Sequence, residues 1–160
     1  MFVLYYFCYI KIFMQIPQTF QPFPKSTIIV ITDNVQAKLY HAFDREFTYL
    51  ETLSSDYPSH ENQEQYSMQT PGGMHSGEQS EKTRIISRDK LYHKLSKNLL
   101  FRLQKNEFET LVFTAPEEDL EELKESLHID LFKRTFAWIP KNLTYEDSLD
   151  LVAHIQEVEY

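Results

Sequence analysis

Hydrophobic positions along this chain change their period repeatedly, and each change marks an element. "STIIVITD" (Ser26–Asp33) is an unbroken, mostly β-branched run that ends on a turn residue. That is the pattern of a strand covered on both faces. "QAKLYHAF" (Gln36–Phe43) alternates, with Ala37, Leu39 and His41 on one face and Lys38, Tyr40 and Ala42 on the other. Asp44-Arg45-Glu46 supplies a turn and "FTYLETL" (Phe47–Leu53) a third strand, so the three form an antiparallel meander. From about Thr83 to Lys105 the period becomes helical: Ile85, Tyr92, Leu95, Leu99 and Leu103 share a stripe, with Leu91 beside it. "ETLVFTA" (Glu109–Ala115) is a fourth, buried strand. Pro116 then opens a helix whose first turn carries Glu117, Glu118 and Asp119, where the helix dipole favours acid, and whose apolar side is Leu120, Leu123 and Leu127. "FKRTFAWI" (Phe132–Ile139) is a fifth strand closed by Pro140, and Thr144 with Asp147 three residues on resembles a capping box, opening a last helix to about Val158.

The order β-β-β-α-β-α-β-α predicts an α/β (α+β) domain: a mixed five-stranded sheet with helices packed on it. Residues 26–160 are read as that single domain, and residues 1–25 as an N-terminal extension. The first thirteen, "MFVLYYFCYIKIF", are apolar but interrupted by Lys11, and too short to span a bilayer. They lack the basic region and small-residue cleavage site of a signal peptide. Met14 as the true start, a strand, and a membrane anchor are the readings left open for them. A polar, aperiodic loop spans about 54–82, a length that in compact domains usually signals function or disorder.

That loop changes the picture, because all three glycines of the chain (Gly72, Gly73 and Gly77) lie in it. Glycine serves where a side chain forbids the backbone conformation. Charge sharpens the point. The chain carries a formal net charge of −8, so any binding to a polyanion must be local. Yet the segment 82–105 holds Lys82, Arg84, Arg88, Lys90, Lys94, Lys97, Arg102 and Lys105 against Asp89 alone. Lys90, Lys94, Lys97 and Lys105 cluster opposite the leucine stripe, while Arg84, Arg88 and Arg102 flank its boundary. A basic helix beside a glycine loop is a footprint for phosphate backbone, although a solvated helix face gives the same pattern. Arg84, Arg88, Lys90, Lys94 and Lys97 are the candidate RNA contacts.

Other chemistry is sparse. One cysteine, Cys8, precludes an internal disulfide and every cysteine-rich zinc motif, and fits a cytoplasmic location. His60, Glu61, Glu64 and His75 lack metal-ligand spacing on a fixed element, so neither a metal nor a cofactor is predicted. The glycines are not followed by the Gly-Lys-Ser/Thr of a phosphate-binding loop. The element order also matches ribonuclease H-like nucleases, which need converging carboxylates. Asp33, Asp147 and Asp150 are candidates, but the fourth strand contains none.

"IIVITDNVQAKLYHAF", "GGMHSGEQS" before the basic helix, "ETLVFTAPEEDLEELKESL" and "IPKNLTYEDSLDLVAHI" together resemble the bacterial and archaeal release-factor-like (baeRF) group over about residues 26–158. That group includes proteins known as host attachment proteins. It is similar to the middle domain of class 1 eukaryotic and archaeal release factors, where a Gly-Gly-Gln loop helps water attack the ester of peptidyl-tRNA. By position, Gly72 and Gly73 match the two glycines, and Met74 stands where the glutamine would be. Methionine offers no amide to hold a water. Gln79 is a polar candidate five residues on. The resemblance implies a ribosome- or tRNA-associated domain that binds RNA through its loop and basic helix without full peptidyl-tRNA hydrolase activity. The other function class is a non-catalytic adaptor, whose acidic "PEEDLEELKE" suits a basic protein partner.

Overall fold

A computed structural model describes residues 12–55 and 76–159. The element order is β1 (Phe13–Gln15), β2 (Phe23–Thr32), β3 (Gln36–Asp44), β4 (Glu46–Ser54), α1 (Ser76–Gln104) and β5 (Thr110–Thr114). A 3-10 turn (Glu117–Asp119), α2 (Leu120–Ser126), α3 (Ile129–Arg134), β6 (Thr135–Ile139) and α4 (Ser148–Glu159) complete it. One sheet runs β1-β4-β3-β2-β5-β6, antiparallel through β1, β4, β3 and β2 and parallel through β2, β5 and β6. The predicted mixed sheet is present, with six strands in place of five.

The unbroken apolar run explains the centre. Ile28, Ile29, Val30 and Ile31 are all fully buried, because β2 lies between β3 and β5 and is covered on both faces. Ile28 and Val30 join Leu39, Leu91, Leu95, Leu99 and Phe113 under α1, α2 and α3. Ile29 and Ile31 join Phe47, Val112, Ile139, Leu151 and Ile155 under α4. The result is three layers with a core on each face of the sheet.

Several boundaries differ from the sequence reading, each for a local reason. Residues 13–25, set apart as an extension, supply β1 and the buried side chains Ile16 and Phe23. Three residues are too few to show a period. The fifth predicted strand loses its first three residues to α3, a six-residue helix. There the His128 side chain accepts from the Asp130 N–H at 3.2 Å and Leu131 alone is buried, too little for a helical stripe. The last helix starts at Ser148, not Thr144. Asp147 Oδ1 caps it, accepting from the N–H of Leu149 (2.9 Å) and Asp150 (3.0 Å), while Thr144 Oγ1 donates instead to Asn142. Finally, α1 begins at Ser76, so Gly77 is helical and the predicted loop of 54–82 is shorter at its C-terminal end. At its other end the helix stops where Asn106 takes a left-handed conformation (φ 56°) and the Glu107 N–H reaches the Arg102 carbonyl.

Candidate nucleic-acid interface

The 29 residues of α1 span roughly 43 Å, longer than the sheet beneath needs. Its buried contacts start at Ser87 and Arg88 and continue through Leu91, Tyr92, Leu95, Ser96 and Leu99. Residues 80–86 are all exposed, Ile85 (37 %) and Ile86 (55 %) included, so Ile85 drops out of the predicted stripe. The register of β2 with β3 and β5 puts the C-terminal ends of β2 and β5 and the start of β3 at one end of the sheet. The helix enters at that end, where Arg88 meets Asp119 just beyond β5, and its turns from 80 to 86 form an exposed overhang before that contact.

Eight cations lie in this segment, and the structure sorts them. Arg88 turns inward. Its guanidinium, 10 % exposed, meets Asp119 (2 % exposed) at 3.0 Å and Asp89 at 3.2 Å. Burial alone would depress its pKa, but the hydrogen bonds it donates to Asp119 and Asp89 outweigh that and hold it above the ordinary value. Arg102 is paired with Glu51 and with Glu107. Burial would raise the pKa of Glu51, yet bonds from Arg102 and Asn98 bring it below normal. Lys105 lies 4.2 Å from the centroid of the Phe101 ring. Arg84 is half-exposed, 3.9 Å from Glu81. Lys82, Lys90, Lys94 and Lys97 are exposed, and among the described residues none of the four is in an ion pair.

Lys90, Lys94 and Lys97 stand on one exposed face of α1, together with Ile86, Asp89 and His93. Over a helical rise of about 10 Å they present three cations to solvent. Of the five predicted contacts, the fold thus brings these three together, leaves Arg84 at the foot of the overhang, and commits Arg88 to the interior. Gly72, Gly73 and Met74 lie outside the described residues, and Gln79 is in the opening turns of α1.

The carboxylates weighed for a nuclease have other tasks. Asp33 Oδ1 accepts from the N–H of Val35 (2.7 Å) and Gln36 (2.8 Å), tightening the β2–β3 turn, and Asp147 caps α4. Among the described residues no group of three His, Cys, Asp or Glu side chains is placed to hold a metal ion. Sequence reading missed Asn34 and the role of Asp119. With its amide turned to suit both neighbours, Asn34 donates to Asp119 (2.6 and 3.2 Å) and accepts from Arg84 Nη1 (2.9 Å). The signal was in the stripe itself: Arg88 sits four and seven residues before the buried Tyr92 and Leu95, a core position that demands a buried counter-charge.

A family model for "bacterial archaeo-eukaryotic release factor family 12" matches residues 26–155. The chain belongs to that family. No curated protein matches it significantly. Among solved structures it is similar to an archaeal translation termination factor, aRF1, at 13% sequence identity and a TM-score of 0.47. The similarity covers 82% of this chain and 37% of that one, so the chain spans well under half of that factor's length. The region matched by the family model runs from within β2 into α4, and so contains the whole of α1 and its basic face. Among the described residues no helix is long and apolar enough to cross a membrane.

Proposed function

We propose that this domain associates with the ribosome or with tRNA, gripping RNA phosphate through Lys90, Lys94 and Lys97, with Arg84 at the foot of the helix. One observation carries the reading. In a chain of net charge −8, these three lysines stay exposed and free of ion pairs among the described residues, while neighbouring arginines are matched by carboxylates. Unmatched cations on a rigid helix suit a phosphate backbone, and membership of a release-factor family supports RNA as its source. Gly72 and Gly73 would shape the preceding loop, and Met74 in place of a water-holding amide argues against full peptidyl-tRNA hydrolysis.

The test is co-sedimentation with ribosomes across a salt series. Wild-type binding should weaken steeply, with a log–log slope that reports the phosphates neutralised. The Lys90→Glu/Lys94→Glu/Lys97→Glu variant should lose binding, and the wild-type protein should release no peptide from a peptidyl-tRNA analogue. Wild-type levels of co-sedimentation by the triple variant would reduce this face to solvated surface.

A further inference from the structure

We infer that Phe101 is a stacking platform at the far end of the basic face: an unpaired base of the bound RNA lies on its ring while the phosphates follow Lys90, Lys94 and Lys97. The inference rests on the RNA reading above and narrows it to an RNA that is single-stranded where it meets α1.

Phe101 continues the lysine face. It stands four residues past Lys97, about 6 Å along the axis and about 40° around it, and three turns past Lys90, within about 20°. Lys105 follows four residues further on, and its backbone N–H bonds the Phe101 carbonyl at 3.2 Å. The neighbours of Phe101 along the chain are held elsewhere. Leu100 and Leu103 pack on the core, and Arg102 turns to Glu51 and Glu107. The ring is thereby committed to the outer face, and it is 57 % exposed.

Helix formation does not account for a phenylalanine there. At an exposed helix position lysine, glutamine or glutamate is the better helix former. The contact with Lys105, whose Nζ lies 4.2 Å from the ring centroid, is weak at a solvated site. That contact does orient the site: the ammonium sits over one face of the ring, so the exposed area belongs to the opposite face and the rim. An open aromatic face in line with exposed cations matches the two parts of a single strand, bases that stack and phosphates that attract lysine. A duplex matches only the second part, because its bases are stacked on one another inside the double helix.

The experiment measures fluorescence polarisation of a labelled oligouridine of about twelve nucleotides with the full chain, against a blunt RNA duplex and an abasic oligomer of the same length. Phe101→Leu keeps an apolar side chain and a good helix former but has no ring. It should weaken oligouridine binding by about five- to a hundredfold, the order of one stacked base, and leave duplex and abasic binding as in the parent. The salt slope should stay unchanged, because no phosphate contact is lost. Phe101→Trp should bind oligouridine at least as tightly as the parent. Phe101→Leu binding oligouridine like the parent, or weakening all three probes equally, overturns the stacking role and leaves the phosphate reading in place. A parent that binds ribosomes or the duplex but not oligouridine does the same. A parent that binds none of the probes and does not sediment with ribosomes fails the RNA reading itself, and this inference with it.

Discussion

Arg88→Met should be among the most damaging single changes on α1. The guanidinium and the Asp119 carboxylate are 3.0 Å apart and exposed by only 10 % and 2 %. At an effective dielectric of 20 their gross attraction is about 5 kcal/mol, most of which offsets the cost of burying both ions. Removing the arginine strands a buried carboxylate with Asn34 as its one remaining side-chain donor among the described residues, a loss of about 3–5 kcal/mol. For a domain of this size that is a melting-temperature drop of roughly 6–20 °C. Asp119→Asn should cost less, because Arg88 keeps its contact with the half-exposed Asp89 at 3.2 Å. Replacing both, as Arg88→Met/Asp119→Leu, should recover most of the loss, since an apolar pair of similar volume is often neutral relative to a buried ion pair. Urea denaturation followed by circular dichroism measures all three. An Arg88→Met variant within about 1 kcal/mol of wild type, below the range for breaking a buried pair, would refute the reasoning and return Arg88 to the solvent-facing set.

Two further outcomes follow from local geometry. Glu51 is held below its ordinary value of 4.5 in the folded state, so its bond to Arg102 stabilises above that pH and is lost as pH falls below it. Its side chain is 35% exposed, which limits the gain to under about 1 kcal/mol, and the urea-midpoint difference between wild type and Glu51→Gln should shrink from pH 6 to pH 3; a constant difference contradicts it. Asp147→Ala removes the acceptor for two N–H groups at the start of α4 and should cost about 1 kcal/mol, read as a melting-temperature drop of roughly 2–4 °C by calorimetry.

The sheet was legible because its strands carry period-two or unbroken apolar patterns, and Ile28–Ile31 can satisfy such a pattern only at the centre. What escaped was whatever rests on one or two residues. β1 is three residues long, and α3 is announced only by the His128 cap and one buried leucine. Thr144 and Asp147 share a capping spacing, and sequence alone could not say that Thr144 is spent on Asn142 while Asp147 takes the cap. For α3 and α4 a side-chain hydrogen bond decided the boundary, and hydropathy does not record such bonds.

The cationic helix shows the same limit more consequentially. Counting charge along 82–105 treats every arginine and lysine as available, but availability depends on which carboxylates the fold delivers. Asp119 arrives from beyond β5 and Glu51 from β4, and each removes one arginine from the surface. Arginine, with its planar fork of donors, takes the paired positions; lysine, more strongly hydrated, keeps the open face. That division explains how an acidic protein can keep an exposed cationic strip on α1. Asp119 and Glu51 are bonded to Arg88 and Arg102, and Lys90, Lys94 and Lys97 stay exposed, in no ion pair among the described residues.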